Sequence, residues 1–295
     1  MQQLKTGYVP FKQYQTYYRI VGDLTTGVTP LLLLHGGPGS THNYFESFDH
    51  FAEQTGRPIV MYDQLGCGES SRPTDPTLWQ AATWVAELKN LREQLGLTKV
   101  HLLGQSWGGM LALIYLCEDH PEGVQSLILA STLASAKLWA QEQHRLIRAL
   151  SAADQLAIAQ AEISGDFTQP SYLMANDHFM TRHASGPITP SSPAFLRRAK
   201  HVGKLAYETA WGPNEYCPTG TLKDYDYTAK LSQLTLPTLV TSGVDDLCTP
   251  LIAKTMVDQL PNATWTLFAH SRHMAFIDES AAYFARLTAW FADRD

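Results

Sequence analysis

Residues 104–109 read G-Q-S-W-G-G, preceded by K-V-H-L-L and followed by M-L-A-L-I-Y-L. The run before is continuous and apolar, as in a strand buried on both faces, and the run after it is an apolar stretch of helical length. Between them the chain must reverse within a few residues. Glycines stand two before and two after Ser106. A G-x-S-x-G pentapeptide at such a junction puts its serine at the tip of a strained strand-to-helix turn, with the hydroxyl outward at the C-terminal edge of a sheet. Gly104 and Gly108 are then the places where side chains would hold helix and strand apart. The helix N-terminus turns partial positive charge toward whatever the serine attacks. A plain turn with a helix-capping serine is the competing explanation, so the choice depends on partners elsewhere in the chain.

Working outward, β-like runs occupy 16–21, 31–34, 59–62, 100–103, 126–130, 238–241 and 264–268. Helix-like stretches fall at 42–54, 80–95, 107–119, 251–259 and 281–295. This alternation predicts an α/β fold with a mostly parallel central sheet and helices on both faces. The rhythm breaks from 134 to 223, where helical patterns (138–150, 154–163, 172–183, 195–201) surround the breaker-rich S-G-P-I-T-P-S-S-P of 185–193. The expected organisation is a core formed by 1–133 and 224–295, with a helical cap inserted at 134–223.

Composition narrows the class. Of 295 residues, 44% are hydrophobic and 17% charged, as in an ordinary soluble globular chain. A net charge of −6 without a Lys/Arg cluster gives no expectation of nucleic acid. The longest apolar runs are too short for a bilayer, and M-Q-Q-L-K-T-G-Y-V-P at the start lacks a signal-peptide core, so no membrane and a cytoplasmic location are expected. Cys67, Cys117, Cys217 and Cys248 are widely spaced, which reads as reduced, packed thiols.

A serine hydroxyl needs a base and a group that orients the base. In hydrolases of this architecture the chain order is Ser, acid, His. T-L-V-T-S-G-V-D-D-L-C-T-P (238–250) offers Asp246, with Asp245 as the alternative. W-T-L-F-A-H-S-R-H-M-A-F-I-D-E (265–279) offers His273, further into the loop than its alternative His270. An oxyanion needs pre-aimed donors. The backbone N–H of Trp107, directly after the serine, is one; that of Gly37, in L-L-L-L-H-G-G-P-G-S (31–40), is the other.

Taken together, H-G-G-P-G-S (35–40), Y-D-Q-L-G-C-G-E-S (62–70), G-Q-S-W-G-G, W-G-P-N-E-Y (211–216), S-G-V-D-D-L-C-T-P (242–250) and S-R-H-M (271–274) resemble the proline iminopeptidases, also called prolyl aminopeptidases. The likeness runs from about Tyr14 to the C-terminus and looks closest to the lactic-acid-bacterial branch. It implies an α/β-hydrolase serine peptidase with a helical cap, which releases an N-terminal residue, preferably proline, from short peptides with a free N-terminus. It implies no metal and no organic cofactor. The family pattern G-x-x-D-x-x-x-P maps onto Gly243 to Pro250 and selects Asp246. The glutamate of G-P-N-E, here Glu215, is expected to bind the substrate's amine. Some members carry a second glutamate directly after the aspartate; this chain has Leu247, a departure that bears on the proline preference.

Other residues carry milder expectations. His178 and His183, five apart, do not form a metal pair. His35, Asp63 and Gln64 support loops, and Cys67 packs. Trp107, Phe179 and Trp211 are candidates for the apolar pocket wall, with core packing the alternative for Phe179 and Trp211. On the same scaffold an amino-acid amidase, a prolyl dipeptidase or an esterase is the alternative activity. A dehalogenase or epoxide hydrolase would need an aspartate in place of Ser106, and a hydrolase-fold binding protein would show a broken triad.

Overall fold

The computed structural model describes residues 3–294. Its strands are β1 (Leu4–Phe11), β2 (Tyr14–Val21), β3 (Leu31–Leu34), β4 (Ile59–Tyr62), β5 (Val100–Gln105), β6 (Val124–Ala130), β7 (Thr238–Gly243) and β8 (Ala263–Phe268). They form one sheet in the order β1-β2-β4-β3-β5-β6-β7-β8. The β1/β2 and β2/β4 pairs are antiparallel, and every other pair is parallel.

The helices before the β6–β7 crossing are α1 (Asp49–Thr55), α2 (Ala81–Gln94) and α3 (Trp107–Asp119). Between β6 and β7 run α4 (Ala136–Ile147), α5 (Ala152–Ser164), α6 (Pro170–His183), α7 (Ala194–Arg197) and α8 (Lys204–Ala210). The chain closes with α9 (Pro250–Gln259), α10 (Ala275–Asp278) and α11 (Ser280–Phe291).

Alternation along the pleat divides the apolar strands between two cores. Leu32, Leu34, Val60, Leu102 and Leu127 pack toward α2, α3 and α9. Leu31, Leu33, Ile59, Leu103 and Ile128 pack toward α1 and α11. Each of these strand residues is fully buried, and each such side chain contributes about 1.5–3 kcal/mol of transfer free energy. Among the described residues no helix is long and apolar enough to cross a membrane.

The order matters more than the strand count. From β3 the chain steps to one side to form β4 and then returns past it to form β5. Between β3 and β5 it therefore reverses direction of winding, and the loops at their carboxyl ends open a crevice. Leu34 at the end of β3 pairs with Gly104 in β5. The H-G-G-P-G loop thus lies directly against the serine turn.

Three departures from the sequence reading have local causes. The run before Tyr14 is a strand: β1 is an edge strand, mostly exposed, and carries Gly7 and Pro10, which mask the pattern. The helix expected over 195–201 is a single turn, because the following residues extend to dock backbone on backbone: Gly203 N–H donates to Gly39 O (2.7 Å) and Gly68 N–H to His201 O (2.7 Å). The final helix ends at Phe291; the expectation ran on to Asp295, which lies outside the described residues.

Candidate active site

Ser106 stands between β5 and α3 with φ 55° and ψ −123°. An L-residue held in such a region costs about 1–3 kcal/mol. The surroundings enforce it. Ser106 N–H donates to Ala130 O (3.0 Å), and Thr132 Oγ1 donates to Ser106 O (2.6 Å). A Cβ on Gly104 would sit 2.3 Å from Gly108 O, and one on Gly108 would sit 1.9 Å from Leu34 O. Both flanking positions therefore accept only glycine at this spacing.

His273 follows β8 and Asp246 follows β7. His273 Nδ1 is 2.7 Å from Asp246 Oδ1. Asp246 is fully buried, and its two oxygens also accept the N–H groups of Cys248 (2.8 Å) and Gly243 (3.1 Å). Two backbone N–H groups already point at this carboxylate, so it is held as an acceptor and Nδ1 carries the proton. Nε2 is then the nitrogen free to act. The two loops approach closely because Gly243 lacks a side chain: a Cβ there would lie 2.0 Å from Ser271 O. Asp245, by contrast, is exposed and engaged through its backbone: its N–H donates to Ser271 O (3.1 Å), and its carbonyl faces His183 Nδ1 at 2.9 Å. His270 is exposed at the strand end.

The loop carrying Asp246 is also tied to the helices above it. Gln143 Nε2 of α4 donates to Leu247 O (2.8 Å), and Thr249 Oγ1 donates to Glu142 Oε2 (2.6 Å). With His183 of α6 on Asp245 O, two helices grip the residues on either side of the acid.

Ser106 and His273 line one cavity of about 520 Å³, together with Gly36, Gly37, Tyr207 and Glu215. Among the described residues no hydrogen bond takes the backbone N–H of Gly37 or of Trp107. The loop holding Gly37 is braced from below. Tyr44 OH accepts from Gly36 N–H (2.7 Å) and donates to Gln105 Oε1 (2.8 Å). His35 Nε2 accepts from Gln64 N–H (3.0 Å), and its Nδ1 faces Gly36 O (2.9 Å). Burial pushes the His35 pKa down to about 4, so it stays neutral. Asp63 receives His42 N–H (2.8 Å) and Glu69 N–H (2.9 Å). These residues support loops, as their positions in the sequence imply.

Glu215 is half-buried at the cavity wall. Its Oε1 accepts from Tyr207 OH (2.8 Å), and its carbonyl accepts from Trp139 Nε1 (2.8 Å). Burial raises its carboxyl pKa, against smaller lowering effects from the charge of His273 and from the Tyr207 hydrogen bond. A cation entering the cavity stabilises the ionised form, so binding an amine releases a proton when Glu215 starts protonated. Affinity for free-amine ligands therefore falls as pH drops through a range above that of an ordinary carboxylate. Inhibition constants for a free-amine ligand and its N-acetylated counterpart, measured across pH, check this; parallel profiles would refute it.

The apolar wall differs from expectation. The side chains of Trp107, Phe179 and Trp211 are buried in the core, outside the cavity lining. The Trp107 indole donates to Gln64 Oε1 (2.7 Å) and stands edge-on to Trp84, Phe179 packs on Tyr216, and Trp211 packs on Trp139. Met180, Ala184 and Met274 line the cavity instead. Tyr207 and Trp139 escaped the sequence reading: both lie in helices whose register over the sheet no local pattern fixes.

A profile described as the alpha/beta hydrolase fold matches residues 29–280. The proline iminopeptidase of Levilactobacillus brevis is 74% identical over 288 residues, spanning 98% of this chain and 96% of that protein. The chain belongs to the proline iminopeptidase family. Solved structures agree with that family assignment. The crystal structure of VinJ superposes with a TM-score of 0.91 at 33% identity, covering 99% of both chains. That of the proline iminopeptidase from Mycobacterium smegmatis gives 0.85 at 30%, covering 97% of both. Proline iminopeptidase relatives thus match this chain along nearly its whole length, sheet and intervening helices included.

Proposed function

We propose that this chain is a serine aminopeptidase that removes an N-terminal residue, preferably proline, from short peptides through an acyl-enzyme. His273 Nε2 accepts the Ser106 proton as Oγ attacks the scissile carbonyl, while Asp246 stabilises the imidazolium. The N–H groups of Gly37 and Trp107 stabilise the oxyanion. The proton passes to the leaving amine, the C–N bond breaks, and Ser106 keeps the acyl group. Water, deprotonated by His273, then attacks the ester and releases the free residue and Ser106. Helices α4 to α8 serve as the cap that bounds the substrate pocket. The four cysteines are free thiols, which suits a reducing compartment and a cytoplasmic enzyme.

The observation that carries this reading is the Glu215 carboxylate opening onto the cavity that Ser106 and His273 share. An ester or lipid offers this half-buried carboxylate no cation to pair with, whereas a free N-terminus does. The names of the relatives support proline as the preferred residue. A panel of aminoacyl-2-naphthylamides, with and without N-acetylation, tests reaction, amine requirement and preference together. A charge-assisted contact is worth about 1.5–3 kcal/mol. Glu215→Gln is therefore expected to lower kcat/KM for prolyl-2-naphthylamide roughly 10- to 100-fold while sparing an N-acetylated ester. An equal fall on both substrates would make Glu215 structural.

A further inference from the structure

The catalytic cavity holds a second, opposite charge that the proposed chemistry leaves unused. Lys200 lines the same cavity as Ser106 and Glu215, in the extended segment between α7 and α8. The neighbouring basic side chains are engaged: Arg197 Nε at the end of α7 donates to Ser192 O (2.9 Å), Arg198 pairs with Glu46, and Lys204 at the start of α8, which also lines the cavity, pairs with Glu208 (3.6 Å). No carboxylate among the described residues pairs with Lys200. Lys200 is exposed overall, and the protein near its ammonium pushes the pKa down with no acidic neighbour to oppose that effect.

The position is fixed as well as unpaired. One residue on, His201 O accepts the Gly68 N–H, and three residues on, Gly203 N–H binds Gly39 O. At Gly203 a Cβ would stand 2.5 Å from Gly66 O, so the two backbones touch. The segment is seated on the loops that follow β3 and β4, and the Lys200 charge reaches His35 beneath the loop of Gly37. Glu215 instead couples to His273 and Tyr207. One cavity of about 520 Å³ thus presents, among the described residues, a carboxylate without a salt-bridge partner at one place and an ammonium without one at another. Its volume is that of a small-molecule site, not a polypeptide groove.

A short peptide with free termini is a zwitterion of the complementary sense. We propose that Lys200 anchors the C-terminal carboxylate of short peptide substrates, dipeptides first, so that the enzyme favours free-acid peptides over the same peptides blocked as amides. The proposal rests on the aminopeptidase reading and adds to it the second end of the substrate.

The test compares kcat/KM for prolyl-glycine, prolyl-glycinamide and prolyl-2-naphthylamide in the wild type, Lys200→Gln and Lys200→Arg. The wild type is expected to prefer the free acid to the amide. A single charge-assisted contact sets that preference at about tenfold or more. Lys200→Gln should abolish most of it, and Lys200→Arg should retain most of it. An acid-to-amide ratio unchanged within about twofold in Lys200→Gln, or a wild type that prefers the amide, would overturn the proposal. Cleavage of prolyl-2-naphthylamide by the wild type keeps the aminopeptidase reading standing in either case; a wild type that leaves it intact sinks both.

Discussion

Ser106→Ala is expected to yield a folded protein whose kcat/KM on prolyl-2-naphthylamide is lower by roughly 10⁴- to 10⁶-fold. The loss follows from chemistry, since no other hydroxyl occupies the tip of the turn. The fold survives because the bonds that force the unusual backbone do not involve the side chain: Ser106 N–H to Ala130 O, and Thr132 Oγ1 to Ser106 O. Alanine meets the same φ of 55° as serine, so the strain is unchanged. Calorimetry should place the Tm within a few degrees of the wild type. Residual activity above a tenth of wild type would remove Ser106 from the nucleophile's role.

The second large effect is expected at Asp246→Asn. Aspartate meets donors on both oxygens: His273 Nδ1 and Cys248 N–H at one, Gly243 N–H at the other. Asparagine offers one oxygen and one NH₂. With its oxygen toward His273, the NH₂ confronts Gly243 N–H. With the amide turned, the NH₂ donates to Nδ1 and drives the ring proton onto Nε2, where the base is needed. Each choice leaves a buried donor facing a donor, at a cost of about 1–3 kcal/mol. The tautomer effect lowers kcat by about 10⁴-fold. Steady-state kinetics beside thermal unfolding separate the two losses. A fall in kcat of less than tenfold would show that another group orients His273.

Much of this was legible in the sequence. Continuous apolar strands can be read without tertiary context, because burial on both faces leaves no polar interruption: Leu31–Leu34, Ile59–Tyr62 and the helix Trp107–Asp119 begin and end where the pattern does. Glycine positions were equally informative, since the close approaches at Gly104, Gly108 and Gly243 admit no side chain. What stayed hidden depends on neighbours distant in sequence. Edge strand β1 pairs on one side only and shows little apolar patterning. For Phe179 and Trp211 the sequence left pocket wall and core open, and for Trp107 it favoured the pocket, because aromatic residues suit a core and a pocket equally; all three pack in the core. Only the packing of α6 and α8 over the sheet turns Met180 and Tyr207 toward the cavity.

The grip of Gln143, Glu142 and His183 on residues 245–249 has an engineering consequence. Helices α4 and α6 are bolted to the loop that carries Asp246, so on the proposed roles the cap and the acid cannot diverge independently. A chimera that borrows its α4 and α6 from a distant homologue would inherit mismatched bolts and a misaligned carboxylate. Transplanting substrate preference therefore requires moving both pieces as one cassette.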